Sequence, residues 1–350
     1  MQKSQLKAVD FFCSGGGMTN GMRRSGINII AGIDFDEDCK ETYELNNPNS
    51  KFILADVFDL KESELEKNLS LKRNDNDLVL IGCSPCQYWS IIQTSKEKSS
   101  KSKNLLGEFE RFVKYFNPGF VVVENVPGIA SKKEESGLAQ FIIDLEEIGY
   151  KVKSKVVNLN DYGVPQTRKR FSLVASRILN DFVFPIPKRG KKPVVRDFIG
   201  IQNGFKKISA GHKDSSKFCH SASKLSDKNL KRLIGTKNNG GDALWWRSDE
   251  DLGREKYRGD GFRDNYSRMS WNKPSPTITT KFFSISNGRF AHPEENRAIS
   301  IREGATLQTF PKRYTFYAKS IQGKTRMIGN AVPPEYARRI GKAIIDSIKS

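Results

Sequence analysis

The stretch Ala8-Val-Asp-Phe-Phe-Cys-Ser-Gly-Gly-Gly17 joins a short apolar run to a cluster of small residues. A run of this length predicts a buried strand, and consecutive glycines allow a ligand to approach the backbone where the next helix begins. Similar apolar runs that end in small or acidic residues lie at positions 27–34, 52–56, 78–82, 120–125, 152–159 and 171–175. Several of the segments between them are long enough for helices. This alternation predicts an α/β fold with a mostly parallel sheet that helices cover on both faces.

The chain is strongly basic. Its 59 Lys and Arg residues outnumber its 40 Asp and Glu residues, which gives a net charge of +19. Such a charge indicates the type of partner rather than the fold, and nucleic acid is the commonest cellular polyanion; a generally lysine-rich surface is the alternative. Residues 188–268 hold 20 basic and 10 acidic residues, about half of the net charge. This region has poor hydrophobic periodicity, whereas residues 334–348 show the spacing of an amphipathic helix.

Cysteine content and hydropathy indicate the cellular compartment in which the protein is expected to occur. Five cysteines scattered through 350 residues do not form a disulfide framework. The N-terminal sequence lacks the apolar core of a signal peptide, and no segment reaches the roughly 18 apolar residues of a membrane helix. We therefore expect a reduced, soluble, cytoplasmic protein with no membrane association.

Residues at the ends of the predicted strands suit a nucleoside, since ligands of open parallel sheets bind beyond the carboxyl ends of the strands. Asp34 ends the second run, nineteen residues beyond Gly15, where a carboxylate can accept hydrogen bonds from ribose hydroxyls. Phe35 offers an aromatic face to adenine, and Asp56 offers an acceptor to the adenine amino group. The first run is followed by neither a Walker motif nor a spaced G-x-G-x-x-G motif. This favours a nucleoside without a pyrophosphate, such as S-adenosylmethionine.

The fourth run is followed by Cys83-Ser-Pro-Cys86, whose spacing has three interpretations. A C-x-x-C pair near a βαβ pattern is typical of a thioredoxin-like redox site, and it can also supply half of a zinc site. In the third interpretation Cys86, which follows Pro85, begins a helix whose N-terminus stabilises a nucleophilic thiolate. Adjacent strand ends would bring Glu124, after the fifth run, close to Cys86. A carboxylate that merely caps the next turn is the simpler interpretation of Glu124.

The order of the short motifs resembles that of the DNA cytosine-5 methyltransferases over residues 8–345. The segment 12–17 is similar to the cofactor loop of that family, and five further blocks follow in family order: Pro85-Cys86-Gln87, Glu124-Asn125-Val126, Gln166-Thr-Arg168-Lys-Arg170, residues 302–311 and Gly329-Asn330-Ala-Val332-Pro333. Six blocks in this order are very specific. A redox pair would leave Glu124 and Arg168 without use, and a zinc site needs more ligands than the other cysteines and histidines offer. The resemblance therefore favours a nucleophilic Cys86 beside a small, buried Cys83.

The resemblance implies a Rossmann-like, S-adenosylmethionine-dependent methyltransferase domain together with a smaller, irregular target-recognition lobe. We expect the large domain over residues 1–185, completed by residues 321–350, and the small domain with the hinge over residues 186–320. Double-stranded DNA would lie in the cleft between the lobes, with the target cytosine rotated out of the duplex. Segments 277–280 and 284–286 alternate like strands of the small lobe.

The resemblance also implies what the catalytic residues do. The Cys86 thiolate adds to cytosine C6 and makes C5 nucleophilic toward the methyl group of S-adenosylmethionine, which leaves S-adenosylhomocysteine. Glu124, with a pKa raised by burial, donates a proton or a hydrogen bond to N3, and Arg168 holds the carbonyl oxygen of the base. Gln87 and Arg170 complete the predicted catalytic set, and no metal is expected.

The predicted binding residues come from the matching motifs and from the basic region. For the cofactor they are Phe12, Ser14, Gly15, Gly17, Asp34, Phe35, Asp56, Val57, Pro85, Leu105, Asn330 and Val332. For DNA they are Gln166, Ser90, Arg247, Arg258, Arg263 and Arg268. Most basic residues of the small lobe are expected to be solvated or to face phosphates, and two or three to contact bases.

The implied context is a bacterial restriction–modification system, in which a monomer modifies DNA of the nucleoid and a cognate endonuclease is the functional partner. Two alternatives stay open. One branch of the family methylates tRNA, although its insert is much shorter than the basic region of this chain. A DNA-binding protein without activity is the other alternative, and the presence of Cys86, Glu124, Arg168 and Asn330 argues against it.

Overall fold

The computed structural model describes residues 6–84, 104–242, 252 and 264–349. The chain forms two compact units. The first comprises Met1–Tyr162, Lys169–Lys188 and Ala331–Ser350, and the second comprises Gly163–Arg168 and Arg189–Asn330. The chain thus leaves the first unit for residues 163–168, leaves it again after Lys188 and returns at Ala331, whereas the sequence places the boundaries at 185 and 321. The reason is that residues 321–330 pack within the second unit, where Gly329 lies against the backbone of Thr279 and Thr280.

A seven-stranded sheet forms the centre of the first unit. Its strands are β1 (Lys7–Phe11), β2 (Asn28–Asp34), β3 (Lys51–Leu54), β4 (Leu78–Gly82), β5 (Phe120–Asn125), β6 (Lys151–Asn158) and β8 (Lys169–Ser176), while β7 (Gln166–Thr167) belongs to the second unit. The order across the sheet is β3-β2-β1-β4-β5-β8-β6. The first five strands in this order are parallel, and β8 runs antiparallel to both of its neighbours. The predicted α/β fold with a mostly parallel sheet is confirmed.

Helices connect these strands and cover the sheet. They are α1 (Gly17–Ser25), α2 (Lys40–Asn46), α3 (Glu62–Leu69), α4 (Leu105–Phe116), α5 (Gly128–Ser131) and α6 (Leu138–Glu147). Phe109 and Phe112 of α4 pack against Phe11 of β1, with ring centroids 5.4 and 4.9 Å apart. Full burial of one such side chain stabilises the fold by roughly 1.5–3 kcal/mol, so this face fixes α4 to the sheet.

The second unit has little regular structure, as the sequence predicts for the smaller lobe. β7 pairs in parallel with β9 (Ser275–Pro276), and the helices among its described residues are α7 (Asp227–Ile234), α8 (Ile301–Leu307) and α9 (Ile321–Asn330). A capping box starts α8: Ser300 accepts from the Glu303 N–H at 3.0 Å, and Glu303 accepts from the Ser300 N–H at 2.7 Å.

The predicted strands at 277–280 and 284–286 are wrong. Within the described part of the chain, neither segment pairs with a strand, and Ile285–Asn287 form a short 3₁₀ helix. The Ile278 N–H donates to the side chain of Gln166 at 3.0 Å instead of to a neighbouring strand. The alternation of residue types here reflects alternate burial of Ile278 and Ile285 in an irregular backbone.

The C-terminal helix α10 (Pro334–Lys349) is amphipathic, as predicted, and packs against α1 in the first unit. The contact needs a glycine, because a Cβ at Gly21 of α1 would lie 2.3 Å from the Pro334 carbonyl oxygen. Tyr336 of α10 donates to the Ser172 hydroxyl of β8 at 2.7 Å. The C-terminal helix α10 therefore belongs to the same compact unit as the N-terminal strand β1 and helix α1.

Candidate active site and cofactor pocket

The glycine-rich turn between β1 and α1 has a strained backbone. Phe12, Ser14 and Gly16 have φ values of 63°, 46° and 82°, in the left-handed region. A residue other than glycine costs about 1–2 kcal/mol there, so the surrounding structure must hold the turn in place. One such contact is the Ser14 N–H, which donates to Asp34 Oδ2 at 2.8 Å. The turn is thereby fixed to the end of β2.

Three residues predicted to hold adenosine follow β2 and β3. Burial raises the pKa of the Asp34 carboxyl at the end of β2. The Asp34 carbonyl accepts from the Ala55 N–H at 3.1 Å, so the next residue, Asp56, lies at the adjoining strand end. Phe35 is 68% exposed, and Asp56 is also exposed. An exposed aromatic ring near two carboxylates suits an adenine base and the polar groups of an adenosine.

The other predicted cofactor residues of the first unit lie at helix starts, in the turn or in the core: Gly15, Gly17, Val57, Leu105 and Val332. Asn330 is exposed and is the last residue of the second unit. Pro85 lies outside the described residues. We retain the whole set as a prediction.

The contacts that Arg111 makes are not predicted by any pattern in the sequence. This residue of α4 donates from Nη2 to the Val57 carbonyl at 2.9 Å and to the Leu60 carbonyl at 3.0 Å. Its Nη1 lies 2.7 Å from the Glu62 carboxylate, which orients the guanidinium. The loop that carries Asp56 is therefore held by α4. An arginine among the charged residues of an amphipathic helix gives no signal of this contact in the sequence.

Glu124 and Arg170 form an ion pair at the carboxyl end of β5. Glu124 is 6% exposed and pairs across the sheet with Ser172, two residues beyond Arg170 on β8. The Arg170 Nε atom lies 3.2 Å from Glu124 Oε1. The Asn125 amide donates to the Ser84 hydroxyl at 3.2 Å, which holds the chain after β4 beside the same strand end. The Glu124 carboxylate, the Arg170 guanidinium and the residues that follow β4 therefore lie close together at this end of the sheet.

The predicted nucleophile Cys86 lies outside the described residues, and so do Gln87 and Ser90. Ser84, two positions before Cys86, is the last described residue ahead of that segment. Cys83 is half-buried rather than fully buried as predicted. Loss of hydration and the Glu124 carboxylate raise the pKa of its thiol well above the ordinary value. Cys83 is therefore a neutral thiol and a poor nucleophile.

Gln166 does not fit its predicted contact with DNA. Its side chain is fully buried in the second unit. Its amide nitrogen donates to the Leu307 carbonyl and to Gln308 Oε1, both at 2.8 Å, and its oxygen accepts from the Ile278 N–H. Both the amide nitrogen and the amide oxygen are therefore engaged within the unit.

Arg168 also supports the second unit from within. It is 1% exposed and donates to the carbonyl oxygens of Ile278 at 3.0 Å and Gly329 at 3.2 Å. These bonds connect the segment before β8 to the segment after β9 and to the end of α9. The structure places Arg170 in contact with Glu124.

Arg268 does not fit its predicted contact with DNA either. Its side chain is 1% exposed, and desolvation lowers the pKa of the guanidinium to about 10. It donates to five groups inside the second unit: the carbonyls of Leu233, Thr236, His292 and Glu295, and the side chain of Asn296. In this structure the guanidinium is therefore enclosed by groups of the second unit. The other predicted DNA-contacting arginines, Arg247, Arg258 and Arg263, lie outside the described residues.

Two further findings concern metals and membranes. Among the residues that the structure describes, no three or more His, Cys, Asp or Glu side chains cluster as metal ligands. None of the described helices has the length and the apolar character that a membrane crossing requires.

The strand order, the antiparallel β8 and the turn after β1 together define the fold of the S-adenosylmethionine-dependent methyltransferases. The chain belongs to the family of C-5 cytosine-specific DNA methylases, which matches residues 6–346. It is a DNA (cytosine-5-)-methyltransferase, and the methyl donor that this family implies is S-adenosylmethionine.

Curated relatives cover nearly the whole chain. The Type II methylase M.HgiDII of Herpetosiphon aurantiacus is 38% identical over 344 residues, which are 96% of this chain and 94% of the relative. The Type II methyltransferase M1.HphI of Haemophilus parahaemolyticus is 32% identical over 342 residues, 97% and 87% of the two chains.

Solved structures of lower identity share the fold. A DNA modification methyltransferase encoded within an E. coli prophage has a TM-score of 0.76 at 22% identity, over 99% of this chain and 100% of the other. The Entamoeba histolytica methyltransferase EhMeth has a TM-score of 0.68 at 17% identity, with the same coverage.

Proposed function

We propose that this protein is a sequence-specific modification enzyme that transfers a methyl group from S-adenosylmethionine to C5 of a cytosine in double-stranded DNA, through a covalent adduct with Cys86. The observation that carries the proposal is the Glu124–Arg170 ion pair beside the Asn125–Ser84 hydrogen bond. These contacts gather an acid and a cation where the chain enters the segment that holds Cys86. The neutral thiol of Cys83 leaves Cys86 as the nucleophile of the C-x-x-C pair.

Cytosine C5 needs activation before it can attack a methyl sulfonium. In the proposed mechanism the Cys86 thiolate forms a bond to C6, and the electron pair of the C5–C6 double bond moves toward C5. C5 then attacks the methyl group, and the electron pair of the broken carbon–sulfur bond stays on the sulfur. A base removes the C5 proton, and β-elimination restores the double bond and releases the thiolate. The target base must leave the stack, because C6 is inaccessible within the duplex.

Glu124 and Arg170 stabilise the charge that develops on the base. Glu124 would face N3 and, protonated or sharing a proton at this step, would donate the hydrogen bond that addition at C6 requires. We assign the carbonyl oxygen of the base to Arg170 and not to Arg168, because Arg170 contacts Glu124 whereas the terminal nitrogens of Arg168 donate to backbone carbonyls. Arg168 would act as a support. A preorganised cation at such a site contributes about 3–4 kcal/mol to transition-state stabilisation.

The residues around the turn fit the cofactor. Asp34 and Asp56 would bind the ribose hydroxyls and the adenine amino group, and Phe35 would stack on the adenine. Phe12 and Ser14 would present the backbone of the turn to the methionine part. When bound, S-adenosylmethionine supplies an electrophilic methyl group and leaves as S-adenosylhomocysteine.

The Type II relatives suggest the biological context. We infer that the protein belongs to a restriction–modification system, acts as a monomer on DNA of the bacterial nucleoid, and protects the target of a cognate endonuclease. The basic region, with 20 basic and 10 acidic residues, would anchor the phosphates.

Bisulfite sequencing of DNA from cells that express the protein tests the proposal, with Cys86→Ser as the matched control. Protected cytosines within one short motif, absent in the control, would support both the activity and the nucleophile. If wild-type cells protect no cytosine while RNA from the same cells gains 5-methylcytosine, the substrate is RNA. Protection in the Cys86→Ser cells would overturn the assignment of the nucleophile.

A further inference from the structure

A buried carboxyl lies beneath the cofactor turn, and the mechanism above does not use it. Asp10, inside the apolar strand β1, is fully buried. Its Oδ2 atom accepts from the Thr19 hydroxyl at 2.6 Å. Among the described residues, its Oδ1 atom has no hydrogen-bond partner. Burial of a carboxyl group that lacks a full set of hydrogen bonds lowers the stability of the fold. Its presence here therefore indicates a role other than packing.

Thr19 is the last member of a chain of buried hydroxyls. The Tyr43 hydroxyl lies 3.2 Å from the Thr19 hydroxyl and 2.8 Å from that of Ser50. Since Thr19 gives its single hydroxyl proton to Asp10, Tyr43 must donate to Thr19, and Ser50 to Tyr43. The Tyr43 ring crosses β2 at Gly32, where a Cβ would lie 2.4 Å from the ring. Hydroxyls from α1, α2 and the approach to β3 therefore point toward one carboxylate.

Helix α1 has no N-terminal cap of its own. Its N-cap residue is Gly16, which has no side chain to accept a hydrogen bond, and its first turn contains no acidic residue. Thr19 is the third residue of this helix. The N–H at this position normally donates a hydrogen bond to the side chain of the N-cap residue. The Thr19 hydroxyl instead connects this turn of the helix to Asp10 on the neighbouring strand at 2.6 Å, and the backbone of Thr19 also lowers the pKa of the carboxyl. The positive end of the helix dipole then favours the ionised carboxyl.

We propose that Asp10 is a positioning residue for the cofactor: as a carboxylate it anchors the first turn of α1 to β1 through the Thr19 hydroxyl, and so holds the turn at residues 12–17 in the shape that binds S-adenosylmethionine. The inference rests on the proposed function for the identity of the cofactor. It extends that function, because Asp10 acts through Thr19 and the turn and touches neither cofactor nor base. Cofactor affinity then depends on the charge of a buried group.

The charges around Asp10 set the direction of its pH dependence. Burial raises the pKa of Asp10 to about 7, while the bonds from Thr19 oppose that shift. Asp34 also faces it, and burial raises the pKa of that carboxyl too. The Cys13 thiol of the turn, Tyr43 of α2 and the Cys83 thiol after β4 all have pKa values raised well above their ordinary range by burial, so they are neutral near pH 7. Lowering the pH through 7 therefore neutralises Asp10 and weakens this anchor.

The same shift has a consequence for stability. The pKa of Asp10 is 3.8 in the unfolded chain and about 7 in the folded one, so the folded state binds the extra proton between these values. Its ionisation destabilises the fold as the pH rises from about 4 to 7. Asp10→Asn should therefore melt no lower than wild type at pH 8, although it binds the cofactor more weakly.

Isothermal titration of S-adenosylmethionine into wild type, Asp10→Asn, Thr19→Val and the matched control Thr19→Ser, between pH 6 and pH 8, tests the proposal. At pH 8 we expect about tenfold weaker binding by Asp10→Asn and Thr19→Val, and near-normal binding by Thr19→Ser. Wild type should approach Asp10→Asn as the pH falls to 6, and the part of the pH dependence that survives in the variant does not come from Asp10. Equal affinity of wild type and Asp10→Asn at pH 8 would overturn the proposal. DNA methylation is a separate readout: a wild type that binds the cofactor but protects no cytosine contradicts the proposed function and leaves the inference about Asp10 standing.

Discussion

The Arg170 guanidinium contacts the Glu124 carboxylate across the antiparallel strands β8 and β5, with Nε 3.2 Å from Oε1. Both side chains are largely removed from water, at 14% and 7% exposure. A carboxylate in such a place relies on its cation, because little water is left to solvate the charge. The pair therefore links the acid of the proposed mechanism to the arginine that we assign to the base.

Replacement of Arg170 should impair the chemical step. We expect Arg170→Ala to lower kcat by a factor of about 10²–10³, because a preorganised cation is lost from the transition state. Arg170→Lys should recover only part of this loss, since an ammonium group lacks the planar fork of a guanidinium. Single-turnover methylation with saturating DNA measures the effect. Lys155→Ala on the edge strand β6 is the control, and unchanged kcat in Arg170→Ala would refute the assignment.

Arg111 should affect the cofactor and not the chemistry. Arg111→Ala removes the hydrogen bonds to the Val57 and Leu60 carbonyls, so we expect KM for S-adenosylmethionine to rise about tenfold with little change in kcat. Glu62→Gln weakens the ion pair but spares these bonds, and it should leave KM near the wild-type value. If both substitutions raise KM equally, the ion pair with Glu62, and not the hydrogen bonds to the loop, determines the KM for S-adenosylmethionine.

Arg268 should contribute to stability and not to recognition. Arg268→Ala removes a buried cation from five acceptors, and we expect the free energy of unfolding to fall by about 3 kcal/mol. Urea unfolding measures the loss. Arg289, whose guanidinium pairs with the exposed Asp264 at 2.6 Å, is the matched control, and Arg289→Ala should cost less than about 1 kcal/mol. A stable Arg268→Ala protein with a changed target motif would restore Arg268 as a base reader.

Glu303 predicts a dependence of stability on acid pH. Burial alone would raise the pKa of its carboxyl, but Arg297, which donates to it at 2.6 and 2.9 Å, lowers the pKa to about 2. Since the pKa is depressed below the ordinary 4.5, the stabilisation is complete above pH 4.5 and disappears as the pH falls toward 2. We expect Glu303→Gln to lose about 3 kcal/mol of unfolding free energy at pH 7, and the difference from wild type to shrink below pH 4.5.

The comparison of urea unfolding at pH 7, pH 4 and pH 3 checks this expectation. Other carboxyl groups titrate in both proteins and cancel in the difference. A difference between wild type and Glu303→Gln that stays constant over this range would show that the ion pair with Arg297 does not stabilise the fold through the charge of Glu303.

Features that depend on a few neighbouring residues could be predicted from the sequence. The apolar runs that form the sheet, the glycine-rich turn after Phe11 and the acid at the end of β2 are all local patterns, since strand formation and glycine conformations are decided within a few residues. The ordered motifs that carry Cys86 and Glu124 were recognisable in the same way. They were sufficient to predict the fold and the family.

Features that depend on contacts between distant segments could not. Arg168 and Arg170 are two positions apart and chemically identical, yet one supports the backbone around Ile278 and the other pairs with Glu124. Arg268 looks like any other arginine of the basic region, but it is enclosed by carbonyl groups. The strand-like alternation near Ile278 misled for the same reason, because a distant glutamine takes the hydrogen bond that a strand would need.

The sequence alone therefore determined the α/β fold and the family of this protein and predicted a nucleoside site at the strand ends, because each follows from local periodicity or from a short motif. Only the tertiary structure showed that Arg170 contacts Glu124, that the side chains of Gln166 and Arg268 are buried, and that Asp10 accepts a hydrogen bond from the Thr19 hydroxyl of the next helix. These assignments depend on burial and on hydrogen-bond partners far away in the chain. The sequence shows which side chains are charged, but only the folded structure shows which group each of them contacts.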